Sequence, residues 1–250
     1  MSRRKNMTKQ RNTKKKSMTA LVMVCVLLCT AAMGTIAWLT AQNTLENTFT
    51  VGEINPVDPE KTGPEGEAIP EDPDPADPEV ELSDILDGNL YEPDWKPASK
   101  LLPGATIAKN PYVGVGAESE ESYAFVNVTN SMTNNGHIYF ELKEGWSVVE
   151  NTGKTVVMDG KTYYISGLFV YDETLTGAAG ENTWTKKPVF ENIIVAEEAV
   201  AEDFLAADES IGKITVQSFV HQAKSGDAVG TSLEKEAKDA ALVTFGYKTI

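Results

Sequence analysis

The chain has 250 residues, 41% of them hydrophobic and 8% aromatic, and its 37 acids against 22 bases give a formal charge of −15. That length and apolar share suffice for a core, while the acidic balance excludes nucleic acid and anionic membrane surfaces as partners, because phosphate binding requires clustered Lys and Arg.

The N-terminus departs from this balance. Eight bases (Arg3, Arg4, Lys5, Lys9, Arg11, Lys14, Lys15 and Lys16) precede a charge-free run over residues 17–45 whose apolar heart is 20–37. This is the layout of a secretory signal. Thr35-Ile36-Ala37 puts small residues at the first and third positions before a cut, so signal peptidase is expected to cleave between Ala37 and Trp38. A retained anchor is the competing reading, since residues 18–39 number about the ~20 that a bilayer core requires; contact with the membrane is then through the uncleaved signal alone. Ser2-Arg3-Arg4 begins like a twin-arginine signal, but Asn6 stands where that motif has an aromatic residue.

Cleavage removes all eight of those bases from the chain's 22 and leaves 14 against 37 acids, a formal charge of −23. Charge of that size keeps an exported protein soluble. Both cysteines, Cys25 and Cys29, leave with the signal. Disulfides, thiolate catalysis and Cys-type zinc sites are thereby excluded, and stability must come from a core.

Residues 38–54 form an N-terminal strand segment in which Leu45, Phe49 and Val51 share one face and Thr44, Thr48 and Thr50 the other. Residues 55–99 read as an acidic, Pro-rich linker. Ten of the chain's 12 prolines lie in residues 55–103, and from Glu53 to Asp94 fifteen acids face one base, Lys61. Like-charge repulsion and scarce apolar surface predict a disordered, extended and mobile segment over residues 56–79. The acidic run 71–79 resembles a calcium loop in composition only, because its repeated prolines prevent wrapping around an ion.

From residue 100 to 250 short strands alternate with turn chemistry. Residues 122–129 read as a half-buried strand. Asn134-Asn135-Gly136 predicts a turn into 137–142, and Asp159-Gly160 a hairpin joining 155–158 to 162–165. Further strands are expected at 167–171, 189–195, 214–220 and 241–247, with short helices at 197–207 and at 233–241 behind a Thr231/Glu234 capping box. This pattern predicts a mainly all-β fold, an antiparallel β-sandwich of jelly-roll type with one or two short helices.

Three blocks carry a resemblance. Thr35-Ile36-Ala37-Trp38-Leu39-Thr40, then Asn47-Thr48-Phe49-Thr50-Val51-Gly52-Glu53-Ile54, then Leu101-Leu102-Pro103-Gly104-Ala105-Thr106-Ile107-Ala108-Lys109-Asn110-Pro111 resemble, in that order, the TasA/CalY (camelysin) family of SipW-dependent, alternate-signal exported Firmicutes proteins. The acidic insert of residues 56–79 is a departure from that pattern. The resemblance implies a secreted protein of the extracellular matrix or cell surface of a Gram-positive, Firmicutes-like bacterium. It implies a biofilm-matrix structural role, with self-assembly or other matrix and surface proteins as partners and the SipW-type signal peptidase met during export. By the same resemblance Leu45, Phe49 and Val51 belong to an assembly strand, exchanged between fibre subunits; the competing reading is that the strand folds back onto its own domain and gives a soluble monomer.

An enzymatic reading has little to stand on. His137 and His221 are the chain's two histidines, and neither lies in an HExxH helix. No Gly-x-Ser-x-Gly elbow occurs, and Gly114-Val115-Gly116 lacks the strand-turn-helix setting of a phosphate loop. The expectation is no catalytic residue, no cofactor and no metal. Camelysin relatives are classed as metallopeptidases, which makes that activity the alternative, with His221 as its candidate residue; otherwise His221 is an outward strand residue beside Val220. A glycan-binding adhesin is a further alternative, with Trp146, Trp184, Tyr163 and Tyr164 as its platform; the competing reading is that they are core and cross-strand pairs.

Overall fold

The computed structural model describes residues 41–42, 54–77, 80–96, 101–132, 136–208, 210, 212–224 and 233–249. In chain order the early strands are β1 (Ala41–Gln42), β2 (Leu86–Asp87), β3 (Leu90–Tyr91), β4 (Thr106–Ala108), β5 (Tyr112–Val115), β6 (Ser122–Asn130) and β7 (Ile138–Tyr139). Then come β8 (Trp146–Val148), β9 (Lys154–Met158), β10 (Lys161–Leu175), β11 (Thr183–Trp184), β12 (Asn192–Val195), β13 (Ile214–Gln222) and the helix α1 (Glu234–Thr244).

The long strands form one antiparallel sheet in the order β1-β13-β6-β10-β8, with β9 pairing β10. Alternation along β6 explains its central place. Ala124, Val126 and Val128 point into a core shared with Phe140, Phe169 and Phe190, while Phe125 points the other way, onto Phe219, Ala237 and Ala241. The sheet is therefore apolar on both faces, and each face needs a cover. Two smaller sheets, β11-β5-β3-β2 and β4-β12-β7, lie on the first side and supply Val113, Val115, Ile138, Ile193 and Val195 to the same core. Helix α1 covers the second. The fold is the expected all-β sandwich.

Strand ends follow local chemistry. The Asp159-Gly160 hairpin forms with φ of 52° and 77°, the left-handed pair that a two-residue turn demands. Residues 162–165 and 167–171, predicted as two strands, fuse into β10, which bends at register shifts between Tyr164 and Ser166 and between Val170 and Thr174. Residues 137–142 shrink to β7 plus a bridge from Phe140 to Tyr164.

Three expectations are corrected. Of residues 241–247, expected as a strand, 241–244 finish the helix and 245–247 turn out of it. Small Ala237 and Ala241 let α1 settle on Phe125 and Phe219, and the Lys238–Glu234 and Lys235–Asp239 pairs brace it one turn apart. Thr231, the expected cap, lies outside the described residues. Residues 197–207 make only a 3-10 turn, Ala201–Phe204, because Ala206 bridges to Met132 and pulls the chain back into extended form.

The third correction concerns the acidic linker, whose described residues are packed on the sandwich. Ile54, Val57 and Ile69 are buried. Asn55 accepts the Gly116 N–H at 2.9 Å, and its own N–H donates to Ser119 Oγ. Asp58 and Asn182 exchange two hydrogen bonds, and Trp184 Nε1 donates to the Thr62 carbonyl at 2.9 Å. Composition misleads here because the few apolar residues coincide with receptive surface. A Cβ on Gly114 would stand 2.4 Å from the Trp184 ring, and one on Gly116 2.2 Å from the Pro56 carbonyl. Gly114-Val115-Gly116 is thus the floor on which Trp184 and residues 55–56 lie. With β2 and β3 inside a sheet, the fold begins well before residue 100.

Candidate functional site

β13 pairs with β6 along its whole length, Ile214 with Asn130 through Gln222 with Ser122. Among the described residues its other edge is paired only at its far end. β1 covers it at two positions, Ala41 opposite Val220 and Gln42 opposite Phe219, and among the described strands nothing pairs with the edge from Ile214 to Ser218. A strand edge left open in this way presents unpaired N–H and C=O groups to whatever extended chain arrives.

Beside that bare stretch lies a groove of about 770 Å³. Ile214 and Val216 form one wall, and Leu101, Leu102, Ile107 and Ile193 face them. The family-like block builds this second wall. Pro103 and Gly104 (φ 73°) turn the chain so that the Ala105 N–H donates to the Leu102 carbonyl at 2.9 Å, a type II turn that needs glycine at its third position. Leu102 is left 59% exposed at the lip. β4 then brings Ile107 into the wall by pairing with Ile193.

Two residues after Ile107, on the same parity, Lys109 is buried with Glu92, Nζ to Oε2 at 2.6 Å, and lies 4.1 Å over the Trp95 ring. Asn110 and Asp94 exchange hydrogen bonds beside them. Burial pushes the Glu92 carboxyl above its usual range, against the opposing pull of Lys109. Glu92 Oε1 has no donor. Sequence reasoning missed Glu92, Trp95 and Lys109 as a unit; the available signal was a lysine at the inward parity of a strand. At the far end the groove is walled by Met132, Phe204 and Gly212. Behind Phe204, Asp203 accepts the Val200 N–H at 2.9 Å and meets His137 Nδ1 at 2.7 Å, contacts that hold its carboxyl below the usual range, the backbone bond most strongly.

The residues predicted from sequence distribute as follows. Ala37 and Trp38, at the expected cleavage point, and Leu45, Phe49 and Val51, of the expected assembly strand, lie outside the described residues. His221 is 4% exposed rather than outward, with Nδ1 at 2.8 Å from the Gln222 carbonyl. His137 is engaged with Asp203, and among the described residues no three His, Cys, Asp or Glu side chains cluster as a metal site would require. Asp72 and Asp74 of the acidic run accept the backbone N–H groups of Asp74 and Ala76.

The four aromatics of the glycan platform do not share a face. Trp146 is buried on Tyr171 and donates to the Lys187 carbonyl, Trp184 lies under residue 62, Tyr164 stacks in the core with Phe140, and Tyr163 pairs with Tyr139 at 4.9 Å. No protein-family model, curated protein or solved structure shows a significant match to the chain.

Proposed function

We propose that this chain is a secreted structural protein of a Gram-positive cell surface or biofilm matrix, a non-enzymatic subunit that assembles by exchanging its N-terminal strand. The observation that carries the reading is the edge of β13, which accepts β1 from the N-terminal segment and, from Ile214 to Ser218, pairs with no other described strand beside an apolar groove. Main-chain pairing at an edge supplies affinity, and pockets for alternate side chains supply selectivity. The export signal, the strongly acidic mature chain and the resemblance to the TasA/CalY family support the same reading. The sandwich is read as jelly-roll in type, the architecture that the resemblance implies.

Two measurements test it. N-terminal sequencing of secreted protein should give a chain that begins at Trp38. Electron microscopy with analytical ultracentrifugation should show concentration-dependent filaments or oligomers, and deletion of residues 38–54 should abolish them while circular dichroism of the sandwich is unchanged. A species that stays monomeric at every concentration overturns the assembly reading.

A further inference from the structure

We propose that Lys109 and Glu92 condense into an intramolecular amide, Nζ to Cδ, with the loss of one water, and that this bond staples the segment after β3 to the segment after β4. It is a modification of the chain by its own groups, independent of whether copies assemble.

Burial supplies the reactants. The Lys109 and Glu92 side chains are 7% and 8% exposed, and Nζ stands 2.6 Å from Oε2. The Trp95 ring, 4.1 Å from Nζ, helps to exclude water from the contact. Without water, an ammonium and a carboxylate gain by passing a proton between them, which leaves an amine and a neutral acid. The Glu92 carboxyl is driven the same way, burial raising it more than Lys109 lowers it. Oε1 has no donor. An orphan oxygen costs most as part of an anion and less as a neutral carbonyl, so condensation relieves the atom that the ion pair leaves unsatisfied. Among the described residues the other lysine–carboxylate pairs, from Lys143–Glu191 to Lys248–Asp239, each expose at least one partner to water and stay charged.

The backbone holds the two groups in place. The Glu92 N–H donates to the Ile85 carbonyl at 2.8 Å, and its own carbonyl accepts the Trp95 N–H at 3.1 Å. The Lys109 N–H donates to the Glu191 carbonyl at 3.1 Å. Next to them, Asp94 and Asn110 tie the two segments together by hydrogen bonds of 2.9 and 2.8 Å. Groups oriented in this way react as if at concentrations of roughly 10⁵–10⁸ M. One proton passes from Nζ to Oε2, and the electron pair of the amine forms the bond to Cδ. A second Nζ proton then goes to Oε2, the Cδ–Oε2 bond breaks with its electron pair on oxygen, and water leaves. Oε1 becomes the amide carbonyl oxygen and Nζ keeps one proton, so the balance needs no oxidant or co-reactant. Until the bond forms, the contact is an ion pair and behaves as one.

Mass spectrometry of the full chain tests the assignment. Most of the intact, folded protein should be lighter, by one water, than its sequence counted from the measured N-terminus. Trypsin should then leave residues 62–100 joined to residues 101–143, uncut after Lys109, because an acylated lysine is no substrate for it. Lys109→Arg keeps the positive charge without the nucleophilic amine and should restore the full mass with an unchanged circular dichroism spectrum. Glu92→Ala should restore it from the other partner. A wild-type chain of full mass that releases residues 101–109 as a separate peptide overturns the proposal. So does a water loss that persists in Lys109→Arg, or one that maps to Asp87-Gly88 or Asp159-Gly160, where cyclisation of an aspartate also expels water.

Discussion

Lys109 and Glu92 show how one residue governs a wall. Both are buried and 2.6 Å apart, so neither charge has water to fall back on. Lys109→Ala should cost about 3–5 kcal/mol in urea unfolding, because it strands an ionised carboxylate, whereas the double change Lys109→Met with Glu92→Leu should recover most of that loss. If the single and double variants are equally unstable, the pair is not acting as a unit. Asp203 offers a pH-dependent counterpart. Its carboxyl is held below 3.8, first by the Val200 N–H and then by His137. A depressed carboxyl pKa contributes stability above the ordinary value that is lost as pH falls through the depressed one. Acid titration monitored by near-ultraviolet circular dichroism should therefore show a loss of stability below pH 3.8 that Asp203→Asn flattens. An unchanged acid limb in that variant would remove Asp203 from the account.

Among the elements, the segment running from Ile54 through residue 77 depends on a slot rather than on its own propensity. Gly116→Val puts side-chain atoms where the Pro56 carbonyl now lies 2.2 Å from a would-be Cβ. Limited proteolysis should then cut within residues 55–77 while β6, β10 and β13 stay protected from hydrogen exchange; intact protection of the segment would show that Gly116 is dispensable. Helix α1 is held by the opposite device, small residues against large ones. Ala241→Asp buries a carboxylate against Phe125 and Phe219 and should destabilise the fold by about 3 kcal/mol or more, read as a lower urea midpoint.

Legibility in the sequence follows the range of the forces involved. β6, β9, β10 and β13 were readable because alternation and Asp-Gly chemistry act within a few residues. The two-residue strands β3 and β11 were not, since both pair with β5 at partners tens of residues away, and β2 is only the outer leg of a short hairpin with β3. Ala241-Leu242-Val243-Thr244-Phe245 reads as a strand in isolation, yet its first four residues are helical because Ala237 and Ala241 meet two phenylalanines. Of the groove, the Pro103-Gly104 turn was visible and the Lys109–Glu92 contact was not, for ion pairing leaves no local pattern. Acidic, proline-rich composition pointed the wrong way too.

At the scale of the whole molecule, charge and edge act against each other. A chain secreted from Trp38 would carry 37 acids and 14 bases, so copies of it would repel at long range, while under the proposed assembly the edge of β13 would attract at contact. Salt shortens the repulsion to about 8–10 Å near physiological strength and leaves hydrogen bonds and apolar contact intact. The oligomeric fraction at fixed protein concentration should accordingly rise with sodium chloride when measured by sedimentation velocity. A fall would mean that ion pairs hold the contact, not a strand in a groove. Under the proposed assembly, an apolar groove on an acidic body would favour arrangements in which main-chain pairing offsets that repulsion.

The tie between Asn55 and Gly116 also sets a length scale for anything built from these subunits. An acidic stretch free to extend would let the strand reach a distant neighbour and would leave the spacing of a polymer loose. With Asn55 fastened, the six links from Phe49 to Asn55 span at most about 22 Å. Under the proposed strand exchange, donor and acceptor bodies would therefore sit nearly in contact, and the axial repeat of a filament would become a property of subunit thickness rather than of linker composition. Lengthening the chain between Val51 and Ile54 by a few glycines should blur that repeat in electron micrographs before it weakens the filament, turning a stiff rod into a jointed one.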